Sequence, residues 1–315
     1  MLFCICFISF CDKEDGMETK IAKTFLTVAK LNNITKGADQ LGYSQSAVTA
    51  QIKQLEDDLG VQLFDRIGRS IQLTDAGRNF IPYAIRLLKA SEDADAFAET
   101  DAEPSGSLVI DSSSTAAQGI LAKLLLRFHE QYPKIHVAVR ISEDIDVLIN
   151  RVRQNRSDIA IFLNPREEYP GCTKAAERKE DFRFVASPSD PITRKKHVPL
   201  KEVFDGLFVD SFITTDKNSV FNYLLRPSLL SRNVEASPML EFGTSASIVA
   251  LLLSGYGRSF LPYMMLEDEI RHGRLALIDT EVIDLDIWSQ VFYSDSRWIS
   301  PHMQAFIDFI AEELH

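Results

Sequence analysis

The chain has 315 residues, 45% of them hydrophobic and 25% charged, with a formal net charge of −11. This is a globular composition, long enough for a small domain plus one or two larger α/β units. The acidity excludes a protein that coats nucleic acid indiscriminately, but it is unevenly spread. Residues 17–89 hold ten Lys/Arg against seven Asp/Glu, or +3, whereas residues 90–315 hold 23 against 35, or −12, and residues 1–16 contribute −2.

The first sixteen residues, MLFCICFISFCDKEDG, carry an apolar or small run from Leu2 to Cys11. They lack the basic start and small-residue cleavage site of a signal peptide, and the run is too short to span a bilayer. METKIAKTF reads as a complete beginning, so residues 1–16 are expected to be a non-native or misassigned extension. Cys4, Cys6 and Cys11 lie in it, leaving Cys172 alone among the four cysteines. No CxxC pair or Cys/His cluster argues for zinc, the histidines are scattered, and reduced thiols in a cytoplasmic protein are the economical expectation.

Ile21, Phe25 and Val28 mark one face of a first helix. A second, Thr35 to Leu41, is expected to be capped by Thr35, with a tight turn at Gly42-Tyr43-Ser44 and Ser44 as the next N-cap. In the third helix Val48, Ile52, Leu55 and Leu59 recur at core spacing, while Gln45, Ser46, Thr49, Ala50 and Lys53 occupy the opposite side. Two helices joined by a three-residue turn give the geometry that enters a DNA major groove. Leu63 to Arg66, a turn at Gly68, and Ser70 to Leu73 add a hairpin, the wing. Gln45 can contact adenine in bidentate fashion, and Thr49 offers a hydroxyl and a methyl to a base edge. Lys53, Arg66 and Arg69 suit phosphates or the minor groove.

The stretch GADQLGYSQSAVTAQIKQLEDDLGVQLFDRIGRSIQLTDAG resembles the N-terminal signature of LysR-type transcriptional regulators, and the resemblance starts at Met17. It implies base and backbone contacts at Gln45, Ser46, Thr49 and Lys53, with Thr35, Arg66 and Arg69 at flanking phosphates. Ser46 stands where the family often has proline and Ala50 where it often has a long polar side chain, so the operator sequence cannot be copied from relatives. The expected winged helix-turn-helix domain covers residues 17–75.

From Thr74, expected to be the cap, to about Phe97 the chain reads as helix. Phe80, Ala84, Leu87, Ser91 and Ala94 form a stripe, flanked by Ile81, Ile85 and Leu88, that is too wide for the head alone to cover. Pairing with the same helix of a second chain is expected, and the resemblance implies a linker and dimerisation helix over residues 76–101, in a dimer or tetramer. Packing on its own body is the alternative. TDAEPSG at 100–106 marks the boundary.

Beyond it strands and helices alternate: Leu108 to Ile110, a helix with Ile120 to Phe128, Ile135 to Ile141, a helix with Ile145 to Val152, then Ile159 to Leu163. This is βαβαβ, a mostly parallel sheet. A second, similar unit spans about Phe182 to Leu277, with a strand at Leu207-Phe208-Val209, a helix from Ser245 to Leu253, and Gly257 to Pro262. The tail offers a strand and a helix with Met303, Phe306, Ile307 and Ile310 inward. The resemblance returns that tail to the first unit. It implies two lobes joined by two crossovers, like periplasmic solute-binding proteins, with an effector-binding domain over 102–315 (lobe I about 107–178 and 286–315, lobe II about 179–285). The fold class is therefore α+β: a winged helix-turn-helix, a long linker helix and a two-lobed α/β effector domain.

Ser112, Ser113, Ser114 and Thr115 follow the first strand at a helix start, where hydroxyls and free N–H groups can hold an anion, and Thr244 and Ser245 are read as the comparable place in the second lobe. Ordinary helix capping is the plainer alternative for each. The resemblance adds a position near Ser142 to an effector pocket. Asp111, where relatives often carry glycine, is expected to narrow that site or repel an anion. No nucleotide, nucleophile-elbow or metalloprotease motif supports an enzyme, and neither cofactor nor metal is expected. Two readings result. One is a cytoplasmic regulator that binds an operator in duplex DNA and is tuned by a small-molecule effector, an anionic metabolite being one candidate. The other is an exported two-lobed solute-binding protein without a DNA-binding role.

Overall fold

The computed structural model of the chain describes residues 18–67, 70–98, 103–211, 224–236 and 239–314. They fall into two compact units, divided between Ala98 and Glu99.

The first unit contains α1 (Thr19–Leu31), α2 (Ile34–Leu41), α3 (Gln45–Leu59), β1 (Phe64–Ile67), β2 (Ser70–Leu73) and α4 (Asp75–Ala98). Its core draws Ile21, Phe25 and Val28 from α1, Val48, Ile52 and Leu55 from α3, and Leu63, Phe64 and Ile71 from the hairpin region. Asn33, rather than Thr35, caps α2, its side chain accepting from the Lys36 amide at 2.9 Å. Asparagine is the stronger cap and stands one residue before the helix, which leaves Thr35 inside the first turn. Gly42 turns the chain at φ 71°, and Ser44 caps α3 by accepting from Ala47 N at 3.2 Å. The α3 stripe ends early: Leu59 is 40% exposed, because Gly60 takes a left-handed φ of 68° and redirects the chain beyond it.

The wing is anchored from α3. Glu56 Oε1 accepts from Leu63 N at 2.7 Å and Phe64 N at 3.0 Å, and β1 pairs antiparallel with β2 from Phe64↔Leu73 to Ile67↔Ser70. The expected turn residue Gly68 lies outside the described residues. Thr74 caps α4 through Gly77 N at 2.9 Å, and Gly77 itself is required there, since a Cβ would stand 2.1 Å from the Leu63 carbonyl oxygen. The first turns of α4 find their partner within this unit. Phe80 packs edge-on against Phe25 with centroids 5.2 Å apart, Ala84 is fully buried, and Leu87 and Leu88 join the same core, while Tyr83 and Ile85 stay exposed. The head thus covers more of the stripe than its size suggests, because α1 runs against α4.

The second unit has two lobes. Lobe I holds β3 (Gly106–Ser112), α5 (114–131), β4 (Ile135–Ile141), α6 (Ile145–Arg153), β5 (Ile159–Asn164) and β6 (Cys172–Lys179), and, from the end of the chain, β12 (Trp288–Ser294) and α11 (Pro301–Leu314). Helix α5 is one unbroken run of Ser114–Ala116, a π segment Ala117–Leu121, and Ala122–Gln131. The sheet order is β4-β3-β5-β12-β6, with β3 parallel to β4 and β5, and β12 antiparallel to β5 and β6. Both faces of this sheet are covered, which is why β5 reads as an uninterrupted apolar run. Ile159 and Ile161 face a core with α5 and α11, and Ala160 and Phe162 face one with α6.

Lobe II holds β7 (Phe182–Ala186), α7 (Leu200–Val203), β8 (Val209–Ser211), α8 (Arg226–Leu230), β9 (Leu240–Phe242), α9 (Ser245–Leu253), β10 (Arg258–Pro262), α10 (Glu267–Arg271) and β11 (Ala276–Leu277). Strand β8 starts later than its apolar residues suggest, Phe208 being buried in a single bridge to Arg258. β8 and β9 are parallel, but β7 runs antiparallel to both β10 and β11, so this lobe is less parallel than a simple repeat of lobe I's opening strands. The chain returns to lobe I through β12 (Trp288–Ser294) and α11 (Pro301–Leu314). The two crossovers run side by side, Glu180 N donating to the Ile287 carbonyl at 2.9 Å.

Candidate functional site

Two surfaces carry the expected chemistry. On the first unit, Gln45, Ser46, Ala50 and Lys53 lie exposed along α3, with Thr49 half-buried beside them. The core contacts of Val48, Ile52 and Leu55 fix this orientation, because those residues occupy the opposite side of the same helix. Thr24 Oγ1 donates to Gln51 Oε1 at 2.7 Å and ties α1 to α3, which helps to fix the direction of the exposed polar side of α3. Thr49 Oγ1 donates to the Gln45 carbonyl at 2.8 Å, and Ser46 Oγ lies 3.0 Å from Ser44 Oγ. Lys53 forms no ion pair among the described residues and borders a groove of about 690 Å³ between α3 and the wing, with Thr49, Glu56 and Phe64 also on its wall. Glu56 looks unfavourable there for a polyanion, yet its carboxylate is engaged by the two wing amides. Thr35 is exposed at the start of α2. Arg66 sits in β1 opposite Ile71; its side chain, and Arg69 altogether, lie outside the described residues.

In the second unit, β3 delivers the serine run to the start of α5. Ser112 is buried and its hydroxyl donates to the Ser113 carbonyl at 3.0 Å. Ser113 Oγ caps α5 by accepting from Ala116 N at 3.3 Å. Ser142, at the end of β4, is drawn alongside by its N–H, which donates to the Ser112 carbonyl at 3.0 Å. Across the lobes, Thr115 Oγ1 lies 3.1 Å from Ser245 Oγ, while Thr244 caps α9 through Ser247 N at 3.3 Å. The structure therefore brings Ser112 to Thr115, Ser142 and Ser245 to one place. Ser113 and Thr244 act as caps, which is also their plainer reading.

Three features differ from the sequence reading. Thr244-Ser245 is not the topological counterpart of the serine run: α9 follows the flanking strand β9 as α6 follows β4, so Thr244 corresponds to Asp144, which caps α6 through Val147 N at 3.2 Å. The counterpart after β8 lies outside the described residues. Asp111 does not face the cleft. It is fully buried, with Arg140 Nε donating at 2.7 Å and Ser157 Oγ at 2.6 Å, because alternate β3 side chains point to opposite faces of the sheet. Glu143, passed over in the sequence, accepts from the Ser114 amide at 3.0 Å. Its only signal was an acid directly after Ser142, at the end of a strand beside the first.

Among the described residues no helix is long and apolar enough to cross a membrane, and no cluster of His, Cys, Asp and Glu is arranged to hold a metal. The model of the lysR-family bacterial regulatory helix-turn-helix protein matches residues 20–78, and that of the LysR substrate binding domain matches residues 101–315. The chain belongs to the LysR family of transcriptional regulators. The HTH-type transcriptional regulator YwqM of Bacillus subtilis is 26% identical over 292 residues, covering 93% of this chain and 98% of that protein. YofA of Bacillus velezensis, also named an HTH-type transcriptional regulator, is 30% identical over 247 residues, 78% of this chain and 81% of its own. The fold is also that of full-length CbnR complexed with its target DNA, with a TM-score of 0.68 at 20% identity over 94% of this chain and 99% of that one. This LysR-type regulator thus carries a DNA-binding head and an effector-binding unit in one chain, an arrangement that does not favour an exported solute-binding protein.

Proposed function

We propose that this LysR-type regulator reads its operator with the exposed side of α3, Gln45, Ser46 and Thr49 meeting base edges, while Lys53, Thr35, Arg66 and Arg69 hold phosphates. The observation that carries this reading is the exposed polar side of α3, held in place by the Ser44 cap and the buried Val48-Ile52-Leu55 side. Self-association as a dimer or tetramer, through the remainder of α4, would give the operator two-fold character. The protein acts in the cytoplasm by binding alone, without a catalytic step. Its effector is a small molecule held where Ser112 to Thr115, Ser142 and Ser245 come together, with Thr244 at the rim; the cross-lobe Thr115–Ser245 hydroxyl pair supports this place.

Binding of the full chain to genomic fragments against random duplex, as a function of salt, tests the first part. Gln45→Ala is expected to cost roughly 1–3 kcal/mol on the operator and little on random DNA. Lys53→Ala is expected to weaken both alike and lower the salt slope by about one. Equal losses for Gln45→Ala on both DNAs would remove it from base reading. For the second part, a metabolite that raises the melting temperature of the wild type should lose that effect in Thr115→Val and Ser245→Ala.

A further inference from the structure

The start of α5 already holds an anion. Glu143 Oε1 accepts from Ser114 N at 3.0 Å, the hydrogen bond that an acidic group bound at a helix start would take. Ser114 is 9% exposed, and its hydroxyl makes no hydrogen bond among the described residues, so the place retains an unused polar group beside the occupied amide. The hydroxyls of Thr115 and Ser245 stand next to it, from both lobes. Glu143 belongs to a short, tethered loop: the Ser142 N–H holds to the Ser112 carbonyl, Ser142 Oγ accepts from Asp144 N at 3.3 Å, and Asp144 starts α6. The carboxylate is therefore delivered to the amide by the fold of lobe I itself.

We propose that Glu143 is an intramolecular competitor for the acidic group of the effector. The ligand class is a carboxylate or oxyanion, which binds by taking the Ser114 amide and displacing Glu143, so that occupancy is coupled to movement of the loop leading into α6. This rests on the effector reading above. Only the fraction of molecules with Glu143 withdrawn is ready to bind, and apparent affinity falls in proportion to that fraction. A neutral side chain at 143 competes less well, since an ionised acceptor makes the stronger hydrogen bond.

The test uses inorganic sulfate as the probe, at constant ionic strength, on the full chain, with thermal stabilisation as the readout. Glu143→Gln is expected to lower the half-saturating sulfate concentration by about ten-fold or more. Asp144→Asn, next door, is expected to leave it unchanged. Glu143→Asp, which keeps the charge on a shorter stem, should fall between wild type and Glu143→Gln and serves if the latter folds poorly. Proline is tolerated at the first position of a helix and removes the N–H, so adding Ser114→Pro to Glu143→Gln should abolish the gain. Equal half-saturation in wild type and Glu143→Gln overturns the proposal, as does a gain that survives Ser114→Pro. If Thr115→Val and Ser245→Ala erase a metabolite's effect while Glu143→Gln leaves sulfate unchanged, the competitor idea alone falls. If those two variants leave the metabolite's effect intact, the effector reading falls too.

Discussion

In lobe I β3 lies between parallel β4 and β5, with antiparallel β12 beyond β5; in lobe II β8 lies between β9 and, through a parallel bridge, β10, with antiparallel β7 beyond β10. The strand plan is the same, yet the chemistry that holds it differs. Lobe I buries carboxylates: Asp111 with Arg140 and Ser157, and Asp158 with Arg297, both partners of the latter pair being almost wholly buried. Both lobes pack aromatic rings, with Phe128 5.1 Å from Phe306 in lobe I, and Phe184 4.6 Å from Phe260 and Phe204 4.5 Å from Phe208 in lobe II, but the most buried ion pair described in lobe II, Arg258–Asp190, lies nearer the surface. A common topology therefore does not impose a common means of support, and the two lobes should fail differently.

The largest expected effect tests the buried charge. Asp158 Oδ2 accepts from Val109 N at 2.6 Å, tying the ion pair to β3. Arg297→Ala strands that carboxylate in the core and is expected to cost about 3–5 kcal/mol. Hydrogen exchange by mass spectrometry should show protection lost first in β3 and β5. Loss of equal size in β7 and β10 would break the comparison.

Next comes Asp190. Burial alone would raise its pKa, but the Arg258 guanidinium, the Ile192 amide and the Arg258 charge outweigh this and hold it below its ordinary value of 3.8. A carboxylate whose folded pKa is depressed contributes stability above its unfolded pKa and loses it as pH falls through the folded value. Asp190→Asn is thus expected to cost about 1.5–3 kcal/mol near neutral pH. In urea unfolding, this deficit should shrink below pH 3.8. A deficit that stayed constant with pH would mean that packing, not charge, is what Asp190 supplies.

How much of this was legible depended on whether the signal was local. The helix-turn-helix could be read because caps, turns and apolar spacing are set within a few residues: Ser44, Gly42 and the Val48-Ile52-Leu55 side all stand as their types predict. β3, β4, β5 and β12 of lobe I were legible for the same reason, whereas β6, whose sequence CTKAAERK has no apolar run, was not read. Asn33 was missed because two capping residue types, Asn33 and Thr35, stand two positions apart, and only the geometry shows which one precedes the helix. Asp111 and Glu143 were unreadable because their partners, Arg140 and Ser114, are 29 residues away in both cases. Strand pairing brings them together, and no local spacing records it. The antiparallel course of β7 was hidden likewise, since direction in a sheet is decided by where the crossover lands.

Lobe II's aromatic support gives a smaller effect. Phe208 is almost completely buried between Phe184 and Phe204. Phe208→Leu keeps most of the volume but loses the ring contacts, and a cost of about 1–1.5 kcal/mol is expected, confined in hydrogen exchange to lobe II. A comparable loss in β3 would show that the lobes unfold as one and that their different means of support have no separate consequence.

The smallest expected effect lies where the lobes touch. Gly119, within the π segment of α5, faces Met264 of lobe II, and a Cβ there would stand 2.8 Å from its Cε and 2.9 Å from its Cγ and Sδ. Much of that side chain is flexible, so Gly119→Ala forces it to shift rather than moving backbone, at a cost of about 1 kcal/mol or less. Removing the obstacle should recover the loss: Gly119→Ala combined with Met264→Ala is expected to be less destabilised than the sum of the single variants. Exact additivity would mean that the new methyl is accommodated within lobe I alone. A positive coupling would show that Gly119 is small because the second lobe approaches it, which neither lobe's own packing requires.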